Sequence, residues 1–392
     1  MPSLQPPAPL RGQDGNGWAR HSIVERLPEI GRRTLAETVF PPEIDAAIRA
    51  LIEEIPDRRI QPIDDPGAPD AGAWQTYVEP HLDDDWLSAP WFFVETYFYR
   101  RLIAATGYFH GADVAHSDPF AAQKRQALPR ANQVIEDQPR DASLQDLLLA
   151  SLWANQADLS LWPHGEGSGR RRSPAAADER ILIDQRDRIA SQLEAERRPL
   201  RLDLILDNVG AELAADLSLT DHILASRDNT IVKLHAKMHP TFVSDATSDD
   251  VLATLDHWQE SNSREIFELG QRLHQSMAAD RLQLQAHRFW TSPTAGWLMP
   301  GDLRQELAGS DLLLFKGDAN YRRLLGDRHW PWITPLKEIV DYLPAPAGAL
   351  RSLKADVAAG LNRQTIERTS ATDPKWMING RWALVQFVDV HA

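Results

Sequence analysis

The sequence predicts an α/β fold, a largely parallel sheet covered by helices on both faces and preceded by a helical N-terminal part. Three observations carry this expectation. From about Ile181, strand-length apolar runs alternate with helical stretches, as βαβ units require. Upstream, Asp85 to His110 is dense in aromatics (Trp86, Trp91, Phe92, Phe93, Tyr97, Phe98, Tyr99, Tyr108, Phe109) and reads as a buried helix. Between them, Leu202-Asp203-Leu204-Ile205-Leu206 gives way through Asp207-Asn208-Val209-Gly210 to a helix with Leu213, Leu217 and Leu224 on one face. Ligands of open α/β sheets bind beyond the carboxyl ends of the strands, where Asp207 and Asn208 fall.

The 392 residues are enough for two or three domains, and 43% hydrophobic content is ordinary for a globular chain. A net charge of −14 argues against a nucleic-acid partner, because phosphate contacts need clustered Lys and Arg. The absence of cysteine excludes disulfides, thiolate ligands and a Cys nucleophile. Met1 to Gln13 is Pro-rich without an apolar h-region, and no apolar run reaches membrane-spanning length. A cytoplasmic protein without a membrane partner is expected.

In chain order, residues 1–16 read as a disordered leader. Residues 17–162 read as a helical domain. Trp18 to Thr38 is partly helical, with Pro28 and Gly31 as possible breaks, and Pro42 to Glu54 is a second helix. Arg58 to Gly72 is a loop, and Asp118 to Val134 and Leu144 to Leu161 are helical, with Asn155 and Asp158 on one face. The Gly-, Ser-, Arg- and Pro-rich stretch within 163–180 is a linker or loop excursion. An α/β/α domain then fills 181–392. Its expected strands are Leu202 to Leu206, Ile231 to His235, Leu282 to Ala286, Leu312 to Phe315 and Trp382 to Val388. Its expected helices are Ala211 to Ala225, Asp249 to Leu273, Pro335 to Tyr342 and Ala355 to Asn362.

Polar clusters follow several strands: Asp207-Asn208, Phe242-Val243-Ser244-Asp245 and Lys316-Gly317-Asp318-Ala319-Asn320-Tyr321-Arg322. A parallel sheet brings all three to one edge. Asp207, Asn208 and Asp245 form an oxygen-only set suited to Mg²⁺ or Mn²⁺. Lys316, Arg322 and the amides near Gly317 supply positive charge for a phosphate. Arg351-Ser352-Leu353-Lys354 adds two more cations. Taken singly, an Asp-Asn pair at a strand end is more often a turn or helix cap; the recurrence at successive strand ends makes the set. No dinucleotide fingerprint, P-loop or Gly-x-Ser-x-Gly elbow occurs, and His235 and His239 lack a His-Glu-x-x-His frame.

Together these motifs resemble the metal-dependent damage-control phosphatases, closest to the acidic residue methyltransferase 1-like or sugar phosphate phosphatase branch. The likeness extends to Trp18 to Thr38, Trp91 to Arg101, Trp153 to Ser160, Phe289-Trp290-Thr291 and His329-Trp330-Pro331-Trp332.

The resemblance implies an N-terminal helical bundle packed on a three-layer α/β/α domain. It implies a phosphatase of sugar phosphates or related damaged metabolites that uses a divalent metal, Mn²⁺ first, with Co²⁺, Ni²⁺ or Mg²⁺ as others. By motif match Asp207, Asn208 and Asp245 are catalytic and hold the metal. Lys316, Asp318, Asn320, Tyr321, Arg322 and Lys354 hold the substrate phosphate, and Glu212 matches a position linked to S-adenosylmethionine. The attacking group is a metal-activated water or a carboxylate, with Asp207 the first candidate. The alternatives are an S-adenosylmethionine-dependent carboxyl methyltransferase and a non-catalytic sugar-phosphate binder. Against the former, the loop after Leu206 lacks the glycines that let a backbone pack on that cofactor. Ala319 stands where relatives usually have a larger aliphatic residue.

Overall fold

The computed structural model describes residues 2–15, 17–111, 118–139, 141–157, 179–195 and 199–390, without the side chains of 155–157. The expected linker therefore lies almost wholly outside the described residues, as do Asp158 and the Asn155 side chain.

Seven strands form one sheet: β1 Ile181–Asp184, β2 Arg201–Ile205, β3 Ile231–Ala236, β4 Leu282–Ala286, β5 Leu312–Lys316, β6 Ala347–Ser352 and β7 Ala383–Val388. Their order is β1-β7-β6-β5-β2-β3-β4. Every pair is parallel except β6–β7. The chain leaves β2 toward β3 on one side and leaves β5 toward β6 on the other. The carboxyl ends of β2 and β5 therefore flank a topological switch point, where an open sheet forms its ligand crevice. Leu312 to Phe315 are all buried, so β5 reads as an unbroken apolar run.

Two strands escaped the sequence reading. β1 is short, and β6 begins Ala347-Gly348-Ala349, with none of the β-branched residues that mark a strand. The small residues suit the packing, since a Cβ on Gly348 would stand 3.0 Å from Ile189 and Leu314.

The helix expected over Ala355 to Asn362 does not form. The Arg351 guanidinium bonds the carbonyls of Ala355 and Val357, groups a helix would use itself, and the helix begins at Arg363. Asp249 to Leu273 is two helices, Ser248–Gln259 and Arg264–Ala278, interrupted at Ser261-Asn262-Ser263.

The leader is pinned rather than disordered over its described residues. Leu10 is buried, its amide bonds the Asp327 carbonyl at 3.0 Å, and its carbonyl accepts from Trp91 at 2.7 Å. Trp18–His21 and Leu27–Glu37 join through the π-helical turn Ser22–Arg26. Gly31 lets this segment approach helix Pro42–Glu54, with a Cβ there only 2.7 Å from Ile52. The aromatic helix Trp91–Ala105 is buried over most of its length.

Apolar packing runs without interruption between the helical part and the sheet. One cluster joins the Trp91–Ala105 aromatics to Phe315, Leu324 and Leu325. Another joins helices Ala121–Glu136 and Leu144–Ala157 to helix Ala211–Ser226 and to β2 and β3. No helix among the described residues is long and apolar enough to cross a membrane.

Candidate active site

The loops after β2 and β3 are locked together at the switch point. Asn208 and Asp245 form an antiparallel bridge. Val209 donates to the Ser244 carbonyl at 2.8 Å, and Ala246 to the Asp207 carbonyl at 2.7 Å. The turn before Asp245 is strained, since Phe242 and Val243 hold φ of 48° and 69°, a region L-residues avoid and functional sites tolerate.

Asn208 links Asp207 and Glu212 through its side chain and pairs with Asp245 through the backbone bridge. The Asn208 amide donates to Asp207 Oδ2 at 2.6 Å and to Glu212 Oε2 at 2.9 Å. Ser244 Oγ donates to Asn208 Oδ1. Burial, then the charges of Glu212 and Asp245, push the Asp207 carboxyl well above its ordinary range. Burial also raises Asp245, against the pull of Lys237. Lys237, at the end of β3, was not singled out from sequence. Its ammonium lies 2.8 Å from Asp245 Oδ2 and donates to the Leu206 carbonyl at 2.9 Å.

The Lys316-to-Arg322 run is only partly turned to this centre. It opens helix Gly317–Leu325, whose first amides have no intrahelical partner and whose first residue, Gly317, lies against the Asp207 side chain. Four expected phosphate ligands are committed elsewhere. The Lys316 ammonium is fully buried on Glu212 Oε1 at 3.0 Å and Asp216 Oδ1 at 2.9 Å. Asn320 donates to the carbonyls of Leu206 and Lys316, tying the helix to β2. The Tyr321 hydroxyl donates to Gln386 of β7 at 2.8 Å. Arg322 is held by Asp327 at 2.8 Å and Glu95 at 2.6 Å. These are corrections: Lys316 ends β5 and is turned to the Glu212 and Asp216 carboxylates, and from Gly317 on successive helical side chains point about 100° apart, so the seven residues cannot all face one ligand.

Asp318 supports the Arg351-to-Lys354 segment. It accepts from Arg351 Nη2 at 2.8 Å and from the Lys354 amide at 3.2 Å. Burial would raise its pKa, but Arg351 and Arg322 hold it below the ordinary value. The Lys354 side chain is half-buried, makes no ion pair among the described residues, and acts electrostatically on Asp207. It is therefore the motif cation available to a ligand.

The helical part reaches the same centre. Glu95 takes Arg26 on one oxygen and Arg322 on the other. The Tyr99 ring lies 5.2 Å from that of Phe242. Burial raises the Tyr99 hydroxyl, which also feels Arg26, Glu95 and Asp245. The signal for these residues was a charge inside an aromatic helix, which the sequence alone read as packing. His235 proves structural, bonded to Asp203 at 2.7 Å and accepting from Trp290.

The donor set fits a hard divalent cation. It offers oxygen donors only: two buried carboxylates, of which Asp245 is ion-paired with Lys237, and the Asn208 carboxamide. Carboxylates and histidines alone do not converge into a metal-holding trio among those residues, so the amide of Asn208 is needed to complete the set.

Comparisons with known proteins bear on the family and the fold. Residues 22–368 match the family model described as the damage-control phosphatase ARMT1-like domain. A Danio rerio protein named Damage-control phosphatase ARMT1 is 34% identical, covering 83% of this chain and 80% of its own. A Mus musculus protein of that name is 30% identical over 97% of this chain and 98% of its own. The fold is similar to that of a DUF89 family protein from Pyrococcus horikoshii, with a TM-score of 0.50 at 12% identity, covering 93% of this chain and 96% of that one.

Proposed function

The chain belongs to the damage-control phosphatase ARMT1-like family of metal-dependent phosphomonoester hydrolases, and we propose that it cleaves sugar phosphates with Asp207, Asn208 and Asp245 holding the divalent cation, Mn²⁺ by preference. The observation that carries this is the convergence of those three side chains with the Gly317 helix N-terminus and Lys354 at one switch point. The cation supplies charge neutralisation at the phosphoryl group. The Gly317 and Asp318 amides and the Lys354 ammonium hold the phosphoryl oxygens. Asp318 and Arg351 fix the backbone that presents Lys354. Lys316 sits behind Glu212 and holds that carboxylate in place. No observation favours methyl transfer or binding without turnover.

The test is phosphate release from a panel of sugar phosphates, using chelator-stripped protein resupplied separately with Mn²⁺, Co²⁺, Ni²⁺ and Mg²⁺. Metal-restored release is expected, greatest with Mn²⁺. Folded Asp207→Ala should release none, and Lys354→Ala should raise KM while retaining metal. Release by metal-loaded Asp207→Ala would overturn the assignment.

A further inference from the structure

The N-terminal helices hold a cation that no strand-end motif contains, tied through Glu95 to the helix that opens at Gly317. Arg26 ends the π-helical turn Ser22–Arg26, a local distortion found frequently at functional sites. One of its terminal nitrogens is held by the buried Glu95 carboxylate, while 49% of the Arg26 side chain remains exposed. The second Glu95 oxygen holds Arg322, in the helix that opens at Gly317. Tyr99, one turn along from Glu95, feels both Arg26 and Asp245 and packs on Phe242. Arg26 is thus tied through Glu95 to Arg322 on the helix that opens at Gly317, and Tyr99, which packs on the turn before Asp245, lies beside it.

An arginine fixed at one nitrogen is pre-organised. Part of the rotamer entropy of its long stem is already lost, and the guanidinium has five donors in a rigid fork. The Glu95 and Asp327 charges balance those of Arg26 and Arg322, so the fork offers directional donors without a large local excess of positive charge.

We propose that Arg26 determines specificity by donating to the acceptor oxygens, hydroxyl or acid, on the non-reacting sugar portion of the substrate, while the phosphate lies between Gly317 and Lys354. This rests on the phosphatase reading of the centre and goes beyond it by assigning the leaving group a contact from the helical half. An aryl leaving group offers no such acceptors and leaves Arg26 unused.

The experiment compares wild type with Arg26→Ala, both Mn²⁺-loaded, on a hexose phosphate and on phenyl phosphate, reading kcat and KM separately. The expected result is a KM for the hexose phosphate raised about 10-fold, the scale of one charge-assisted hydrogen bond, with kcat within about 2-fold. Both constants for phenyl phosphate should stay within about 2-fold. Equal changes for the two esters, or no change for the hexose phosphate, would overturn the proposal. If Arg26→Ala lowers Tm, Arg26→Met, which keeps the aliphatic stem, decides by the same comparison. No release by wild type from either ester would overturn the phosphatase reading and this inference with it. Release by wild type with equal losses in the variant overturns this inference alone.

Discussion

Gly317 lies against Asp207 so closely that a Cβ at Gly317 would stand 1.9 Å from Asp207 Oδ2 and 2.1 Å from its Cγ. Its φ of +78° is also one that L-residues rarely adopt. The carboxyl ends of β2 and β5 meet at this contact. Gly317→Ala should therefore push the Asp207 carboxylate out of line and strain the helix start. Mn²⁺ affinity by isothermal titration and phosphate release should both fall, by about 100-fold for release, the scale of a misplaced catalytic group. A variant with unchanged Mn²⁺ affinity and turnover would contradict the role assigned to Asp207.

Asp207→Asn separates stability from function. The native carboxylate is costly because burial, Glu212 and Asp245 all oppose its charge. Removing that charge should raise the Tm of metal-free protein, by on the order of 1–3 °C, while abolishing metal-dependent release. A lowered Tm in calorimetry would show that the cluster is not electrostatically frustrated.

Lys237→Met leaves the Asp245 carboxylate buried without its cation and the Leu206 carbonyl without its donor. Breaking one partner of a buried pair costs about 3–5 kcal/mol. Urea unfolding should show a loss of that size, with part of it recovered in Lys237→Met/Asp245→Asn. Losses that simply add in the double variant would mean that the two groups do not act as a pair.

His239 gives the protein an acid sensitivity of definite sign. Burial, with Arg100 acting in the same direction against Asp70 and Asp65, pushes its pKa down to about 4 from an ordinary 6.5. The unfolded chain takes up this proton first as pH falls. The stability from neutral His239 is therefore complete above pH 6.5 and is lost as pH drops toward 4, on the order of 3 kcal/mol in all. In chemical denaturation, His239→Gln should lose less stability than wild type between pH 7 and pH 4. Parallel profiles would show that His239 does not titrate differently on folding.

What the sequence made legible follows from which signals are local. β2, β3 and β5 announce themselves as apolar runs, and the Asp207, Asn208 and Asp245 set follows from strand ends meeting on one edge. β6 was hidden because its Ala-Gly-Ala start is chosen for close packing against Ile189 and Leu314, a contact invisible along the chain. The Ala355 stretch looked helical because propensity is local, whereas the Arg351 side chain that claims its carbonyls is a tertiary partner. Lys316 and Arg322 looked like ligands for the same reason. Their countercharges, Asp216, Glu95 and Asp327, had no visible spatial tie to them. Lys237 left no readable trace, since it follows a strand, Ile231–Ala236, that already carries Lys233 and His235.

The double attachment of Glu95 also bears on how such chains recombine. Because Arg26 and Arg322 share one carboxylate across more than two hundred residues of sequence, a crossover that joins the front of one relative to the back of another inherits half of a charge balance. Chimeras should be viable where positions 26, 95, 322 and 327 come from a single parent. Where the junction separates them, restoring the matching partner should rescue expression. The helical front and the sheet-bearing back of this enzyme are then a single heritable unit, not modules free to be shuffled.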